Sequence, residues 1–332
     1  MFSLKHHMPD AFITVVTDDK TSSYFVGIRK NELQYADEVI VIPFDSSYTQ
    51  HQRSRLLKAS IRKIVSGDYL YIDCDTIICH PFPSLESISY DLAACVDTHC
   101  HDFHDNPYRW MCLAHGHALD WPIDNESTYF NGGVLFVKDS QVSHEFYERW
   151  YQNLMNGFLN GVFMDQPSFA KTNYQMHHIV GILDDIWNCE LKHGIRYLKD
   201  ALIVHYLTTN ISSQNGAQVF RLNEPDLFEK IKETGFIPEE IEAIANDPFK
   251  GLAPLTHVFA GKDVYFFQTT AYKLMASSNT SYKESLVSTN SSQDFVQSPL
   301  FFYLLRNYPH GLAGWLGRAY NKYVTIKKKF KP

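Results

Sequence analysis

The sequence contains no apolar run as long as a membrane-spanning helix, and its first ten residues lack the apolar core of a signal peptide. The chain of 332 residues also lacks a basic excess, because 37 acidic residues outweigh 30 Lys and Arg and give a net charge of -7. A nucleic-acid-binding surface needs a basic face, so nucleic acid is not an expected partner. These absences favour a cytoplasmic enzyme.

Cysteine is sparse, and no internal repeat is present. The six cysteines form no paired framework, and Cys74 and Cys79 lie in apolar surroundings, where a reduced packing role is expected. The hydrophobic content of 45% gives ample material for a core. Length and composition therefore favour one large α/β domain with additions, or two domains.

An acidic motif follows the apolar segment Tyr69–Ile72. Asp73 and Asp75 come directly after it, and we predict a buried parallel strand whose carboxyl end opens onto a ligand site. Two crowded carboxylates need a counter-charge, which Mg²⁺ or Mn²⁺ supplies when phosphate oxygens complete the metal's coordination. The alternative is a pair of solvated turn aspartates.

Apolar periodicity predicts the elements around this motif. A strand at 11–17, a helix at 22–34 and a strand at 38–43 form a βαβ unit, which implies parallel pairing. Further along the chain, the pattern predicts helices at 49–65, 140–155 and 224–246 and strands at 91–97, 129–137 and 200–206.

Three cations lie on one face of the predicted helix at 49–65. Arg55, Lys58 and Arg62 are spaced by three and four residues. This stripe is either a phosphate clamp or a solvated helix face. Because the acidic strand follows directly, we favour Arg55 as a phosphate ligand and keep Lys58 and Arg62 as secondary candidates.

Three further positions have both a functional and a structural interpretation. The paired glycines at 132–133 permit close approach of the backbone to a ligand, or form a β-bulge. Asp165 opens a predicted helix, where it serves the site or caps the helix. His205 ends a strand and is either a third ligand of Mn²⁺ or a structural histidine.

The segment 98–128 is predicted to be irregular and is rich in histidine. Its spacings match no structural zinc pattern, so a lid or substrate-facing loop is the preferred interpretation. A carboxylate general base, if the reaction needs one, is expected between Asp97 and Asp124.

The composition changes after residue 222. We predict a catalytic domain at 1–222 and a mainly helical extension at 223–332, with a Ser/Asn-rich linker at 277–298. The tail at 311–332 is basic and amphipathic. It is suited to peripheral contact with an anionic membrane on its inner face, and the alternative is a solvated helix.

Several segments together resemble one family of enzymes. In the family's order, they are Val15-Val16-Thr17-Asp18-Asp19, Ser54-Arg55-Leu56, Asp73-Cys74-Asp75, Phe130-Asn131-Gly132-Gly133-Val134, Asp165-Gln166, Trp187-Asn188 and Val204-His205-Tyr206. The chain resembles GT-A glycosyltransferases, in particular the retaining group that includes glycogenin and bacterial lipopolysaccharide galactosyltransferases. An Asp-x-Asp pair alone is common, whereas the ordered set is more specific.

The resemblance implies a fold and a reaction. The fold is α/β, a Rossmann-like mixed sheet flanked by helices. The reaction is transfer of a hexose from a nucleotide sugar, with UDP implied, to a saccharide or lipid-linked acceptor, with retention of configuration. The implied setting is the synthesis of surface glycan or lipopolysaccharide.

The resemblance also implies a role for each matching residue. The metal, Mn²⁺ or Mg²⁺, would be held by Asp73, Asp75 and His205. The nucleotide would contact Thr17, Asp18, Asp19, Arg55 and Asp73. The transferring sugar would be surrounded by the catalytic residues Asn131, Asp165 and Gln166.

Two other functions fit parts of the sequence. Asp73-Cys74-Asp75-Thr76 also matches the hallmark of haloacid-dehalogenase-type phosphatases, with Asp184-Asp185 as the later acidic pair. That hallmark belongs on the first strand of its domain, whereas a whole βαβ unit precedes it here. The second alternative is a non-catalytic module that binds a sugar or a nucleotide.

Overall fold

The structure, a computed structural model, describes residues 1–123, 127–207 and 220–252. The chain divides into two units, and the described residues all belong to the unit formed by residues 1–213 and 217–258. The predicted linker at 277–298, the predicted tail at 311–332 and Asp124 lie outside the described residues.

Short strands alternate with helices along the described residues. The strands are β1 (Thr14–Asp18), β2 (Glu38–Ile42), β3 (Tyr69–Ile72), β4 (Thr76–Ile78), β5 (Leu92–Val96), β6 (Phe130–Val137), β7 (Gly181–Ile182), β8 (Cys189–Glu190) and β9 (Ile203–His205). The α-helices are α1 (Phe2–His7), α2 (Asp19–Ser22), α3 (Gln50–Ile64), α4 (Arg109–Ala118), α5 (Gln141–Leu159), α6 (Asp165–Gln175), α7 (Leu191–Gly194), α8 (Pro225–Thr234) and α9 (Glu239–Asn246).

Strands β1 and β2 pair in parallel, as the sequence predicts, with Thr14 opposite Glu38. The prediction of one helix between them at 22–34 is wrong. The chain forms the short helix α2 and then a 3₁₀-helix at Gly27–Leu33. Gly27 has a φ of 60°, a left-handed conformation that no regular α-helix accepts, so the segment cannot form one continuous helix.

The parallel pairing predicted for β3 is wrong. Strand β3 pairs antiparallel with β6, β6 pairs antiparallel with β5, and β5 pairs parallel with β7. A second set joins β4, β9 and β8, with β4 antiparallel and β8 parallel to β9. The mixed sheets flanked by helices confirm the predicted α/β class.

Helices α3 and α5 begin at capping boxes and pack on the sheet. Thr49 caps α3, and Ser140 caps α5 with Ser143 as its partner. The apolar faces of these helices meet β5 and β6 in one core cluster that includes Leu56, Phe146, Trp150, Leu154 and Phe169. The cationic face of α3 is thereby fixed relative to the sheet.

Helices α8 and α9 pack on the β4–β9 side of the fold. Leu227, Ile244 and Ala245 are buried in one cluster with Ile77 and Val204. The predicted domain boundary at 222 stays a prediction. Within the described residues, no helix has the length and apolar content needed to cross a membrane.

The segment predicted to be irregular at 98–128 contains the ten-residue helix α4. Cys112 and Gly116 on α4 are buried, and Cys112 packs in a cluster with Phe103, Trp121 and Tyr129. The predicted irregularity is therefore wrong for residues 109–118. Phe103 and Trp121 of this stretch are buried in a cluster with Val162 and Ala170 as well, whereas Trp110 is 71% exposed.

Helix α5 offers a matched pair of leucines that tests its packing on the sheet. Leu154 is fully buried, whereas Leu159 is 86% exposed at the end of the same helix. We expect Leu154→Ala to lower the free energy of unfolding by about 2–5 kcal/mol, because it leaves a cavity. Leu159→Ala should change it by less than about 0.5 kcal/mol. Urea denaturation followed by circular dichroism measures both, and equal losses would contradict the packing of α5.

Candidate active site

Asp73, Asp75 and His205 lie together at the ends of β3, β4 and β9. Thr76 on β4 pairs opposite His205 on β9, and the backbone N–H of Tyr206 donates to the carbonyl of Asp75 at 3.1 Å. The imidazole Nε2 of His205 lies 3.1 Å from Asp75 Oδ1. One ligand atom from each of the three residues lies within 4.8 Å of the others. Strand pairing therefore assembles the three residues predicted to hold a metal.

The glycine at position 133 makes room for His205. A Cβ atom at Gly133 would lie 2.3 Å from the imidazole Cε1, a distance that no side chain tolerates. At the neighbouring Gly132, a Cβ would meet nothing closer than 3.5 Å. Gly133 therefore accommodates the ring of His205. The register between β5 and β6 also shifts across this stretch, as the β-bulge alternative predicts, and the approach of the backbone to a ligand stays a prediction.

Lys58 connects Asp73, one of the three residues predicted to hold a metal, to Asp165. Its Nζ lies 3.1 Å from both carboxylate oxygens of Asp73 and 3.2 Å from Asp165 Oδ2. It also donates to the carbonyl of Gly132 at 3.0 Å, and Lys58 is only 5% exposed. The helix face predicted to carry a phosphate clamp thus points into the protein at this position.

The charges in this group hold one another ionised. Burial alone lowers the pKa of Lys58, but the carboxylates of Asp165 and Asp73 outweigh it, and the pKa lies above its usual value. Burial alone raises the pKa of Asp165, but Lys58 and Arg55 outweigh it, and the pKa lies below its usual value. Both members of the pair are therefore charged at neutral pH.

The other two cations of α3 have different partners. Arg55, which is 27% exposed, has its Nε 3.2 Å from Asp165 Oδ1, so a carboxylate holds the predicted phosphate ligand. Arg62 is buried further along the helix, where it donates to the carbonyl of Gly67 at 2.8 Å and stacks on Tyr69. The solvated-face interpretation is wrong for Lys58 and Arg62, and Arg62 supports the end of α3.

Asp165 is the first residue of α6, and the N-cap alternative for it is wrong. Met164 stands at the N-cap position and makes no side-chain cap. The carboxylate of Asp165 goes to Lys58 and Arg55. The indole N–H of Trp150 lies within 3.3 Å of the carbonyl oxygen of Asp165, which anchors the start of α6 to the buried face of α5.

Asn131 and Gln166 both contact Asp97. The amide nitrogens of Asn131 and Gln166 donate to Asp97 Oδ1 at 3.2 Å and 2.7 Å. Burial raises the pKa of Asp97, and these two hydrogen bonds only partly offset the rise. The sequence pointed only to a stretch beginning at Asp97, whereas the structure brings this carboxyl beside two predicted catalytic residues.

The predicted nucleoside residues lie at the end of β1 and the start of α2. Asp18 caps α2 by accepting from two of its backbone N–H groups, and Thr17 is buried on β1. Arg53 Nη1 lies 3.1 Å from Asp19 Oδ1 and 3.5 Å from Asp18 Oδ1. Arg53 was not predicted, and its only signal in the sequence is its position two residues before Arg55.

Comparison with known proteins gives structural neighbours only. No protein-family model matches the chain, and a search of curated proteins finds no match. Among solved structures, the apo form of mouse xyloside xylosyltransferase 1 is 13% identical, with 58% of this chain and 82% of that one covered and a TM-score of 0.36.

Two further glycosyltransferases are among the structural neighbours. The galactosyltransferase LgtC in complex with donor and acceptor sugar analogs is 12% identical, with 73% of this chain and 92% of that one covered and a TM-score of 0.45. The glycosyltransferase GlyE of Streptococcus pneumoniae TIGR4 is 17% identical, with 77% and 62% covered and a TM-score of 0.40. All three neighbours are named as enzymes that transfer sugars, and their identity to this chain is 12 to 17%.

Lys58 and Lys63 on α3 provide a matched test of the buried charges. Lys58→Met leaves Asp165 buried without its main counter-charge, and we expect a loss of about 3–5 kcal/mol in the free energy of unfolding at neutral pH. Lys63 is 55% exposed and pairs with Glu148 at the surface. Lys63→Met should therefore change stability little. Chemical denaturation measures both variants.

The stability difference between wild type and Lys58→Met is expected to depend on pH. Since the folded pKa of Asp165 lies below that of the unfolded chain, about 3.9, its stabilisation is present above that pH and lost as the pH falls through the folded value. The stability difference between wild type and Lys58→Met should therefore shrink in acid. A difference that stays constant from neutral pH to the acid limit would contradict the pairing.

Proposed function

We propose that this protein is a metal-dependent glycosyltransferase that moves a hexose from a nucleotide sugar, with UDP as the favoured nucleotide, to a saccharide or lipid-linked acceptor. One observation carries the proposal. The group of Asp73, Asp75 and His205 lies beside a buried ion pair of Lys58 and Asp165. In a reaction that expels a diphosphate from a sugar, a cation stabilises the negative charge of the diphosphate and a fixed carboxylate stabilises the positive charge of the sugar.

The donor set suits a divalent cation. Asp73, Asp75 and His205 offer two carboxylates and one imidazole nitrogen, a set that Mn²⁺ accepts, while the carboxylates also suit Mg²⁺. When bound, such an ion neutralises charge on the oxygens of the diphosphate leaving group. The carboxylates of Asp73 and Asp75 and Nε2 of His205 would hold it.

The chain's own cations extend this stabilisation. The guanidinium of Arg55 is held by Asp165 on one side and keeps 27% of its side chain exposed, so it can still donate to a phosphate. Lys58 places a fixed positive charge against Asp73. Groups oriented before the substrate arrives stabilise charge in the transition state without reorganising.

Asp165 is suited to the sugar side of the reaction. Lys58 and Arg55 keep its pKa low, so it is ionised at neutral pH. A carboxylate stabilises the oxocarbenium-like character that the sugar gains as the bond to the diphosphate breaks. Asn131 and Gln166 would contact the sugar hydroxyls from the adjoining hydrogen-bonded group.

The stereochemical course that we propose is retention, which the resemblance implies. The acceptor then attacks from the leaving-group side and a phosphate oxygen takes its proton, or Asp165 forms a covalent glycosyl intermediate. Inversion would instead need a carboxylate base. Asp97 would fill that role, because burial raises its pKa and it lies against Asn131 and Gln166.

The phosphatase alternative is less well supported. Its later acidic pair, Asp184 and Asp185, has other partners here. Asp184 caps the 3₁₀-helix that follows it. Asp185 Oδ1 lies 2.9 Å from His99, and Asp185 Oδ2 lies 3.0 Å from His101. The alternative gives no role to Lys58 or Asp165.

The proposed cellular setting follows from the sequence. A role in surface glycan or lipopolysaccharide synthesis rests on the resemblance. A cytoplasmic location with peripheral contact to the inner face of a membrane rests on the basic tail at 311–332. Both remain predictions, and that tail lies outside the described residues.

A donor screen tests the proposed reaction. When UDP-, GDP- and CMP-sugars are titrated into the wild-type protein in the presence of Mn²⁺, one of them should bind. The protein should then release the nucleotide slowly, and only when the metal is present. Asp75→Ala should lower that release about 100-fold or more, since it removes a metal ligand worth several kcal/mol. Asp200→Ala, at an exposed aspartate shortly before β9, is the control and should retain activity.

The alternatives predict different results in the same screen. Hydrolysis of p-nitrophenyl phosphate without nucleotide release would support the phosphatase. Tight binding of a nucleotide sugar without turnover in the presence of varied acceptors would support a binding module. If no nucleotide sugar bound at all, the proposed transferase function would be wrong.

A further inference from the structure

A buried chain of hydrogen bonds leads from the backbone of β6 to His205. The backbone N–H of Gly133 donates to Asn131 Oδ1 at 2.8 Å. Asn188 Nδ2 lies 2.9 Å from the same oxygen, and Asn188 Oδ1 lies 3.1 Å from His205 Nδ1. Asn188 is fully buried, and Asn131 and His205 are nearly so.

The first link of this chain fixes the orientation of Asn131. A backbone N–H can only donate, so the atom of Asn131 that faces Gly133 must be the amide oxygen. The amide nitrogen of Asn131 then faces Asp97 Oδ1 at 3.2 Å, where a carboxyl oxygen accepts. The two contacts agree, so the amide orientation follows from its neighbours.

The second link fixes Asn188 and the third fixes His205. Because Asn131 presents an oxygen, Asn188 must present its amide nitrogen to it. The amide oxygen of Asn188 therefore faces His205, and the imidazole must carry a hydrogen on Nδ1. Nδ1 is thereby committed to Asn188, and Nε2, the nitrogen that lies 3.1 Å from Asp75 Oδ1, is the one left to face a cation.

We propose that Asn188 is a positioning residue that selects the metal-binding tautomer of His205 and aims its Nε2 at the cation site. This inference rests on the proposed metal-dependent function. Strand pairing supplies the placement, since β8 follows Asn188 directly and runs parallel to β9, with Glu190 opposite His205. A hydrogen bond to the second nitrogen of a metal-binding histidine fixes its tautomer and its ring orientation.

The same residue links the cation site to the sugar site. Asn188 contacts Asn131, Asn131 contacts Asp97, and Asp97 accepts from Gln166. A displacement of His205 is therefore transmitted through side chains that the proposed reaction uses. An isolated packing asparagine would have no such connection.

Three variants separate positioning from a structural role. Asn188→Ala removes the acceptor from Nδ1, whereas Asn188→Asp keeps an oxygen facing Nδ1. Asn173→Ala is the matched control, because Asn173 is equally buried but accepts from the backbone N–H of Val180. A purely structural role predicts that the alanine variants at 188 and 173 behave alike.

The first readout is the tautomer of His205 in the metal-free protein. Nitrogen-15 NMR of labelled histidine at pH 8, assigned with a His205→Gln sample, should show hydrogen on Nδ1 in wild type, Asn188→Asp and Asn173→Ala. Asn188→Ala should show a shift toward the tautomer with hydrogen on Nε2. Hydrogen on Nε2 with none on Nδ1 in wild type would overturn the inference without any reference to a metal.

The second readout is the dissociation constant for Mn²⁺, measured by calorimetric titration of the full chain. Asn188→Ala should weaken binding about 10- to 100-fold, Asn188→Asp should recover most of the affinity, and Asn173→Ala should leave it unchanged. Equal affinity in wild type and Asn188→Ala, with Mn²⁺ bound by both, would overturn the inference. Absence of Mn²⁺ binding in wild type would overturn the proposed function, and the NMR result would then decide the tautomer on its own.

Discussion

The ammonium of Lys58 lies where three elements of the fold meet. It contacts Asp73 after β3, the carbonyl of Gly132 on β6 and Asp165 at the start of α6. A buried charge without a partner would be costly. Helix α3, the end of β3 and the two carboxylates therefore have to keep their positions around Lys58. Packing of α3 and α5 on β5 and β6 brings these elements near, and the charge defines how they are aligned.

Under the proposed function, the balance of charge in the site calls for a cation before an anionic substrate binds. Three carboxylates, those of Asp73, Asp75 and Asp165, stand against the two cations Lys58 and Arg55. This group alone repels a diphosphate. A divalent cation reverses the sign, and the exposed part of Arg55 adds a donor for phosphate. On this account, metal binding precedes donor binding, and Asn188 prepares the imidazole for the first step.

The sequence indicates the residues of the candidate site better than the residues that surround them. Asp73, Asp75 and His205 were predictable because apolar runs identify strands, and ligands gather at strand ends. The antiparallel pairing of β3 with β6 was not, since it depends on contacts between segments about sixty residues apart along the chain. Periodicity placed Arg55, Lys58 and Arg62 on one face but could not rank them. Arg62 lies four residues, or about 6 Å, beyond Lys58 along the helix axis, which moves it out of the site. Asn188 and Arg53 matter through contacts that no local pattern reveals.

The most direct measurement is anomalous X-ray diffraction from crystals grown with Mn²⁺ and UDP, with data collected above and below the manganese absorption edge. The account predicts one strong anomalous peak at coordination distance, within about 2.5 Å, of Asp75 and of His205 Nε2, with diphosphate oxygens on its open side and Lys58 still bound to Asp165. A peak at a different place, or ordered UDP with no manganese between its phosphates and these residues, would contradict it.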